Sequence, residues 1–267
     1  MRKQSPTFGI KFMIFWIYFI GFGLHVWVLY DITFSPSTSN TTASVKHSKN
    51  FLENAKKSVL FIQSGPCGSE GEKTGTGFII QPGYVATNAH VVKNAEKCDK
   101  YHLIDYLGKT HTAKLKAISS HVTSLDNLAN FSDDLAILQF EDESHNLPPL
   151  ELANSSEYEV NHELEKVMTI GFPAFASTPG KASTSSTGNI SNFDTTKNLF
   201  ITSGMNLNSG NSGGPVFLCK NYKVVGVAVA VLRGQITPDT APIEGISYFI
   251  PINKLKNFAL EKLNIKL

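Results

Sequence analysis

The sequence is poor in cysteine, poor in charged residues, and has no excess of either charge sign. Its 267 residues include three cysteines, Cys67, Cys98 and Cys219. None stand at C-x-x-C spacing, which argues against the common zinc and redox motifs, and three are too few for a disulfide-stapled scaffold. An odd count leaves at least one thiol outside any intramolecular bridge. Charged residues make up 17%, against about 25% in an average soluble domain. With 24 Lys+Arg against 22 Asp+Glu, the formal net charge is only +2. A nucleic-acid-binding surface would bring a basic excess, so no nucleic-acid partner is expected. No internal repeat of about 20–50 residues is visible, which sets solenoids and propellers aside.

The apolar excess sits at the front of the chain. Residues 12–30, FMIFWIYFIGFGLHVWVLY, form 19 residues without Asp, Glu, Lys or Arg. A bilayer core about 30 Å thick needs roughly 20 such residues. Arg2, Lys3 and Lys11 precede the run and Asp31 is the first charge after it. The positive-inside rule therefore puts the N-terminus in the cytoplasm. A cleaved signal peptide is the rival reading. Its apolar stretch would be about 7–15 residues followed by a small-residue site, whereas this run is longer and DITFSPSTS offers no such site. The expected organisation is a cytoplasmic tail at 1–11, a transmembrane signal-anchor helix at 12–30, a Ser/Thr-rich flexible tether at 31–50, and a folded domain at 51–267 outside the cytoplasm.

Within that domain, FLENAKKS reads as one short helix. Short apolar runs bounded by turn signals follow: SVLFIQ, TGFIIQPGYVATNA, YHLIDYL, AKLKAIS, LAILQF, KVMTIGFP, NLFITS, PVFLC, KVVGVAVAVL and ISYFIPI. Such spacing indicates an all-β sandwich or barrel. FIPINKLKNFALEKL closes the chain as a short helix.

Three segments together carry chemistry: TNAHVV with His90, SDDLAIL with Asp134, and NSGNSGGP with Ser212. Alone, each has an ordinary reading as a surface histidine, a strand start or a turn. Jointly they supply what acyl transfer needs. A serine hydroxyl is a weak nucleophile until a base takes its proton, and imidazole titrates near neutral pH. A carboxylate on the other ring nitrogen holds the imidazole in one tautomer. Backbone N–H groups must meet the developing oxyanion, and the glycines around Ser212 let the chain turn them inward.

These segments, in the order His, Asp, Ser, resemble trypsin-like serine proteases of the HtrA/Deg type. The resemblance covers about residues 55–255 and runs through GTGF at 75–78, TNAHVV at 87–92, DLAIL at 134–138, IGFP at 170–173, GNSGGP at 210–215 and GISYFIP at 245–251. It implies a chymotrypsin-like fold of two six-stranded antiparallel β-barrels with the cleft between them. Ser212 matches the nucleophile, His90 the general base and Asp134 the orienting carboxylate. Asp133 is the neighbour that strand alternation would turn to the other face. The N–H groups of Gly210 and Ser212 would form the oxyanion hole. Asn206 would lie near the base of the specificity pocket, Val229 to Val231 would form one wall, and Gly245 would stand opposite. With no acidic base to that pocket, small or medium aliphatic residues are the expected preference. No cofactor or metal is implied. Protein or peptide substrates are, and the family's membrane-anchored trimers offer an analogy for a homo-oligomer.

The resemblance has departures. Relatives of this type carry PDZ domains after the protease, whereas about 16 residues follow Pro251 here. Asn211 stands where digestive relatives place the Asp that pairs with a newly cut N-terminus, so activation by N-terminal processing is not expected. The Ser/Thr/Gly/Asn-rich loops near 177–188 and 203–209 are the expected sites of regulation. A Cys67–Cys98 bridge is one of three pairings open to the cysteines. A protease-like domain that binds partners without cleaving them would show damage to the triad, and none is seen. The functional expectation is a membrane-anchored serine endopeptidase of the bacterial periplasm.

Overall fold

The computed structural model describes residues 48–64, 73–92, 100–119, 132–141, 147–154, 163–173, 183–231 and 246–267. The expected anchor at 12–30, the tether before residue 48, Cys67, Cys98 and Gly245 lie outside these residues. Among the described residues no helix is long and apolar enough to cross a membrane.

Helix α1, described over residues 48–55, runs into a 3₁₀ turn at Lys56–Ser58. Six strands follow: β1 Val59–Ser64, β2 Lys73–Gln81, β3 Tyr84–Thr87, β4 Tyr101–Ile104, β5 Thr110–Ile118 and β6 Ala136–Phe140, with a short helix α2 at Ala89–Val92. They close into a barrel in the order β1-β2-β3-β6-β5-β4. The second barrel comprises β7 Lys166–Gly171, β8 Thr184–Asp194, β9 Leu199–Ser203, β10 Pro215–Leu218, β11 Val224–Val231 and β12 Ile246–Pro251. Its closed order, β10-β11-β12-β9-β8-β7, repeats the first when the strands are counted from β7. Every named pairing is antiparallel. Two six-stranded barrels are thus the architecture, as expected.

Alternation of side chains along a strand explains why β1 reads as a continuous apolar run. Leu60 and Ile62 point into the first barrel with Ile79, Val85, Leu103 and Leu138. Val59 and Phe61 point the other way, into a cluster continuous with the second barrel through Ile170, Val216, Phe217 and Phe249. Both faces are buried, so neither can be polar. Each such side chain contributes about 1.5–3 kcal/mol on burial. Phe61 and Phe172 meet edge to face across the two barrels, centroids 5.7 Å apart.

The ends of the domain fold back on this core. Phe51 of α1 stacks on Tyr222, centroids 4.2 Å apart, and meets Phe217 edge-on at 5.1 Å. Helix α3, Ile252–Leu263, buries Ile252, Leu255 and Ala259, a stripe at helical spacing. It stops at Asn264 in the left-handed conformation (φ 55°), whose N–H returns to the Leu260 carbonyl at 3.0 Å.

One strand corrects the sequence reading. Residues 184–188, expected to be loop, belong to β8, which pairs β7 from Thr184 to Asn189 and β9 from Asn189 to Asp194. Of its eleven residues, TSSTGNISNFD, only Gly188 and Ile190 are buried. Strand order here comes from ladder hydrogen bonds on both edges rather than from a hydrophobic face.

Candidate active site

The His90 segment leaves β3 directly. Thr87 ends the strand and is buried, Asn88 follows, and His90 sits in the single turn α2, whose Ala89, Val91 and Val92 are buried. That burial fixes the turn and leaves the His90 side chain partly exposed at 18%. Asp134 precedes β6, the strand that pairs with β3 through Thr87↔Ala136. Pairing of the two strands therefore brings residues 44 apart in sequence side by side.

Asp134 is fully buried and is used completely. Its Oδ1 accepts the backbone N–H of His90 at 2.9 Å. Its Oδ2 lies 2.5 Å from His90 Nδ1. Its carbonyl accepts the side-chain amide of Asn88 at 2.8 Å. With Nδ1 turned to the carboxylate, Nδ1 carries the proton and Nε2 is left as the basic nitrogen. Asp133 points elsewhere, to Lys254 of α3 at 2.8 Å. The separation of the two carboxylates is not strand alternation, because β6 begins only at Ala136. A tight turn does it, closed by the Leu135 N–H to the Asp133 carbonyl at 2.8 Å.

The Ser212 loop, between β9 and β10, comes from the second barrel. Asn211 N–H donates to the Asn208 carbonyl at 2.9 Å, closing a four-residue turn with Gly210 third. Gly210 has φ 94°, the sign that a type II turn requires at that position. Gly213 has φ 85°, and a Cβ there would run into the Thr76 carbonyl and the Thr87 hydroxyl of the first barrel. The loop can therefore approach β2 and β3 only because residue 213 is glycine. Contact is made by hydrogen bonds: Thr76 N–H to the Ser212 carbonyl at 2.9 Å and Thr76 Oγ1 to the Gly210 carbonyl at 2.6 Å. Gly213 N–H reaches the Ala228 carbonyl of β11 at 2.8 Å. The Ser212 hydroxyl itself donates to the Val229 carbonyl at 3.1 Å.

A trypsin-like peptidase domain model matches residues 75–227, a stretch containing His90, Asp134 and Ser212. The chain belongs to the trypsin-like peptidase family. Relatives described as probable periplasmic serine endoproteases, DegP-like, also match this chain. The one from Hahella chejuensis is 35% identical over 196 residues, covering 72% of this chain and 36% of the relative. One from Pseudomonas putida is 32% identical over 186 residues, covering 69% and 34%. One from Chlamydia trachomatis is 32% identical over 165 residues, covering 60% and 29%. The chain thus spans about a third of the length of the curated relatives it matches. The likeness to HtrA/Deg-type serine proteases read from the motifs is supported by these alignments.

Of the expected pocket residues in this peptidase domain, Val229 is buried on β11, while Asn206 is exposed, its N–H donating to Ser186 Oγ at 2.9 Å. Met205 and Leu207, on either side of Asn206, are the buried ones. Val231 is placed by its backbone pairing with Ser247. Among the described residues no group of three or more His, Cys, Asp or Glu is arranged to hold a metal. Two residues of the site escaped the sequence reading. Asn88 and Thr76 lie within the motifs TNAHVV and GTGF. Neither carries a reactive group, so nothing but position could have marked them.

Proposed function

We propose that the chain is a serine endopeptidase that cleaves protein substrates outside the cytoplasm, with Ser212 as nucleophile, His90 as general base and Asp134 as the carboxylate that orients it. The observation that supports this most is the double attachment of His90 to a buried Asp134, by ring and by backbone. Together the two bonds hold the imidazole in one tautomer and one plane, as a general base requires.

The chemistry follows. The Ser212 hydroxyl rotates off the Val229 carbonyl, giving up about 1 kcal/mol of hydrogen bond, and passes its proton to His90 Nε2. Its oxygen attacks the peptide carbonyl carbon. The N–H groups of Gly210 and Ser212 receive the oxyanion, a contribution typically worth about 3–4 kcal/mol per donor. His90, now imidazolium and stabilised by Asp134, gives its proton to the leaving amine as the C–N bond breaks. Water, deprotonated by His90, then opens the acyl-enzyme and restores Ser212.

In this reading residues 12–30 span the membrane, the domain from 51 onward lies in the periplasm, and the biological role is quality control or processing of extracytoplasmic proteins. Asn206, Val229, Val231 and Gly245 shape a pocket for small or medium aliphatic side chains, since none of them could pair with a buried Arg or Lys. Asn211 is buried and uncharged, which favours a site that needs no newly cut N-terminus. The reading is tested by labelling the full chain in detergent with a fluorophosphonate. Labelling lost in Ser212→Ala supports it, and labelling retained in that variant refutes it.

A further inference from the structure

Thr76 lies in β2 of the first barrel and is fully buried, with each of its polar atoms engaged. Its N–H donates to the Ser212 carbonyl at 2.9 Å. Its carbonyl accepts the Thr87 hydroxyl at 2.8 Å. Its own hydroxyl donates to the Gly210 carbonyl at 2.6 Å and accepts the Phe172 N–H at 3.0 Å. The direction of those last two bonds is determined, because a carbonyl only accepts and a backbone N–H only donates.

The two carbonyls held by Thr76 belong to Gly210 and Ser212, the residues whose N–H groups are assigned to the oxyanion. One residue of the first barrel therefore grips both ends of Gly210–Asn211–Ser212 in the second. The backbone grip needs no particular side chain. The hydroxyl grip does, and strand pairing gives no reason for it, since Thr76 meets Phe61 of β1 through the ladder alone. Valine would keep the shape of the residue. It would leave the Gly210 carbonyl and the Phe172 N–H buried without partners. With the Gly210–Asn211 peptide released by Thr76, rotation at the Gly210 Cα is free to reverse the preceding Ser209–Gly210 peptide to the type I sense, turning the Ser209 carbonyl toward the site in place of the Gly210 N–H.

We infer that Thr76 is a positioning residue for the oxyanion hole: its hydroxyl, held by Phe172, anchors the Gly210–Asn211 peptide and so restrains the rotation at the Gly210 Cα that would turn the neighbouring Gly210 N–H away from the substrate oxygen. The inference rests on Ser212 being the nucleophile. Thr76 touches no substrate and acts through Gly210.

The test uses the full chain in detergent, with labelled β-casein as substrate and a fluorophosphonate whose phosphoryl oxygen occupies the oxyanion hole. For Thr76→Val, kcat falls about 10- to 100-fold while KM stays within about twofold. The rate of fluorophosphonate labelling falls by the same factor. Thr76→Ser, which restores the donor, returns kcat to within about threefold of the parent. A Thr76→Val protein with parental kcat, or with a change in KM alone, overturns the inference. So does a folded Thr76→Ser protein as impaired as Thr76→Val. Should Thr76→Val not fold, the comparison is between Thr76→Ser and Thr76→Cys, whose thiol is a weak donor. A kcat for Ser about fivefold or more above Cys at equal KM supports the assignment, and equal values overturn it. A parent protein inert to both casein and probe removes the nucleophile reading and this inference with it. An active parent with an unaffected Thr76→Val removes this inference alone.

Discussion

His90 and Asp134 are joined at two points: the imidazole Nδ1 lies 2.5 Å from Oδ2, and the His90 backbone N–H donates to Oδ1 at 2.9 Å. The carboxylate thus fixes the ring and the turn that bears it, and its own burial is offset by donors from both. Replacing it should do more than remove a charge. In Asp134→Asn the amide can present an N–H where an acceptor is needed, forcing the imidazole toward the wrong tautomer. We expect kcat to fall about 10⁴-fold with the fold retained. Asp133→Asn, one residue away, should leave kcat within about threefold, because Asp133 is exposed and faces Lys254. Casein hydrolysis by the two variants checks both values.

Gly213→Ala tests how closely the barrels approach at the site. The added methyl group meets the Thr76 carbonyl and the Thr87 hydroxyl, and φ at 85° is strained for alanine. Overpacking and backbone strain together cost about 2–4 kcal/mol. The thermal midpoint should drop by about 5–12 °C, and fluorophosphonate labelling should fall with it because Ser212 precedes the displaced residue. Differential scanning fluorimetry reads the first and gel fluorescence the second.

Cys219 should be a slow thiol. It is half-buried, and burial pushes its pKa up, with the Lys166 ammonium opposing only in part. The thiolate is the reactive form, so its fraction at pH 7.5 lies below that of a free cysteine. Iodoacetamide treatment followed by peptide mapping should show Cys219 alkylated more slowly in the native protein than in the urea-unfolded chain. Equal rates in the two states would contradict the burial.

The buried strands and the candidate segments around His90, Asp134 and Ser212 were legible because each leaves a local signature, and the pair of barrels followed from the family resemblance that those segments carry. Buried strands such as VLFIQ and AILQF carry apolar side chains on both faces, and the reactive residues sit in short fixed contexts. β8 was not legible, since TSSTGNISNFD buries little and owes its form to neighbours on both sides. The repeated strand order of the two barrels was likewise hidden, because topology constrains pairing without constraining residue identity. Thr76 shows a third kind of limit. Its place in GTGF was plain, but its function as a clamp depends on partners 96 and 134 residues away. The separation of Asp133 from Asp134 was expected for the wrong reason, a strand where the chain makes a turn.

The central claim is that Ser212 is a nucleophile activated by His90. It is tested most directly by the mass of the intact full chain after fluorophosphonate treatment, measured for the parent, Ser212→Ala and His90→Ala proteins. The account predicts one adduct on the parent, mapped to Ser212, none on Ser212→Ala, and labelling slowed by about three orders of magnitude or more on His90→Ala. An adduct that maps to another residue, or persists in Ser212→Ala, would contradict it.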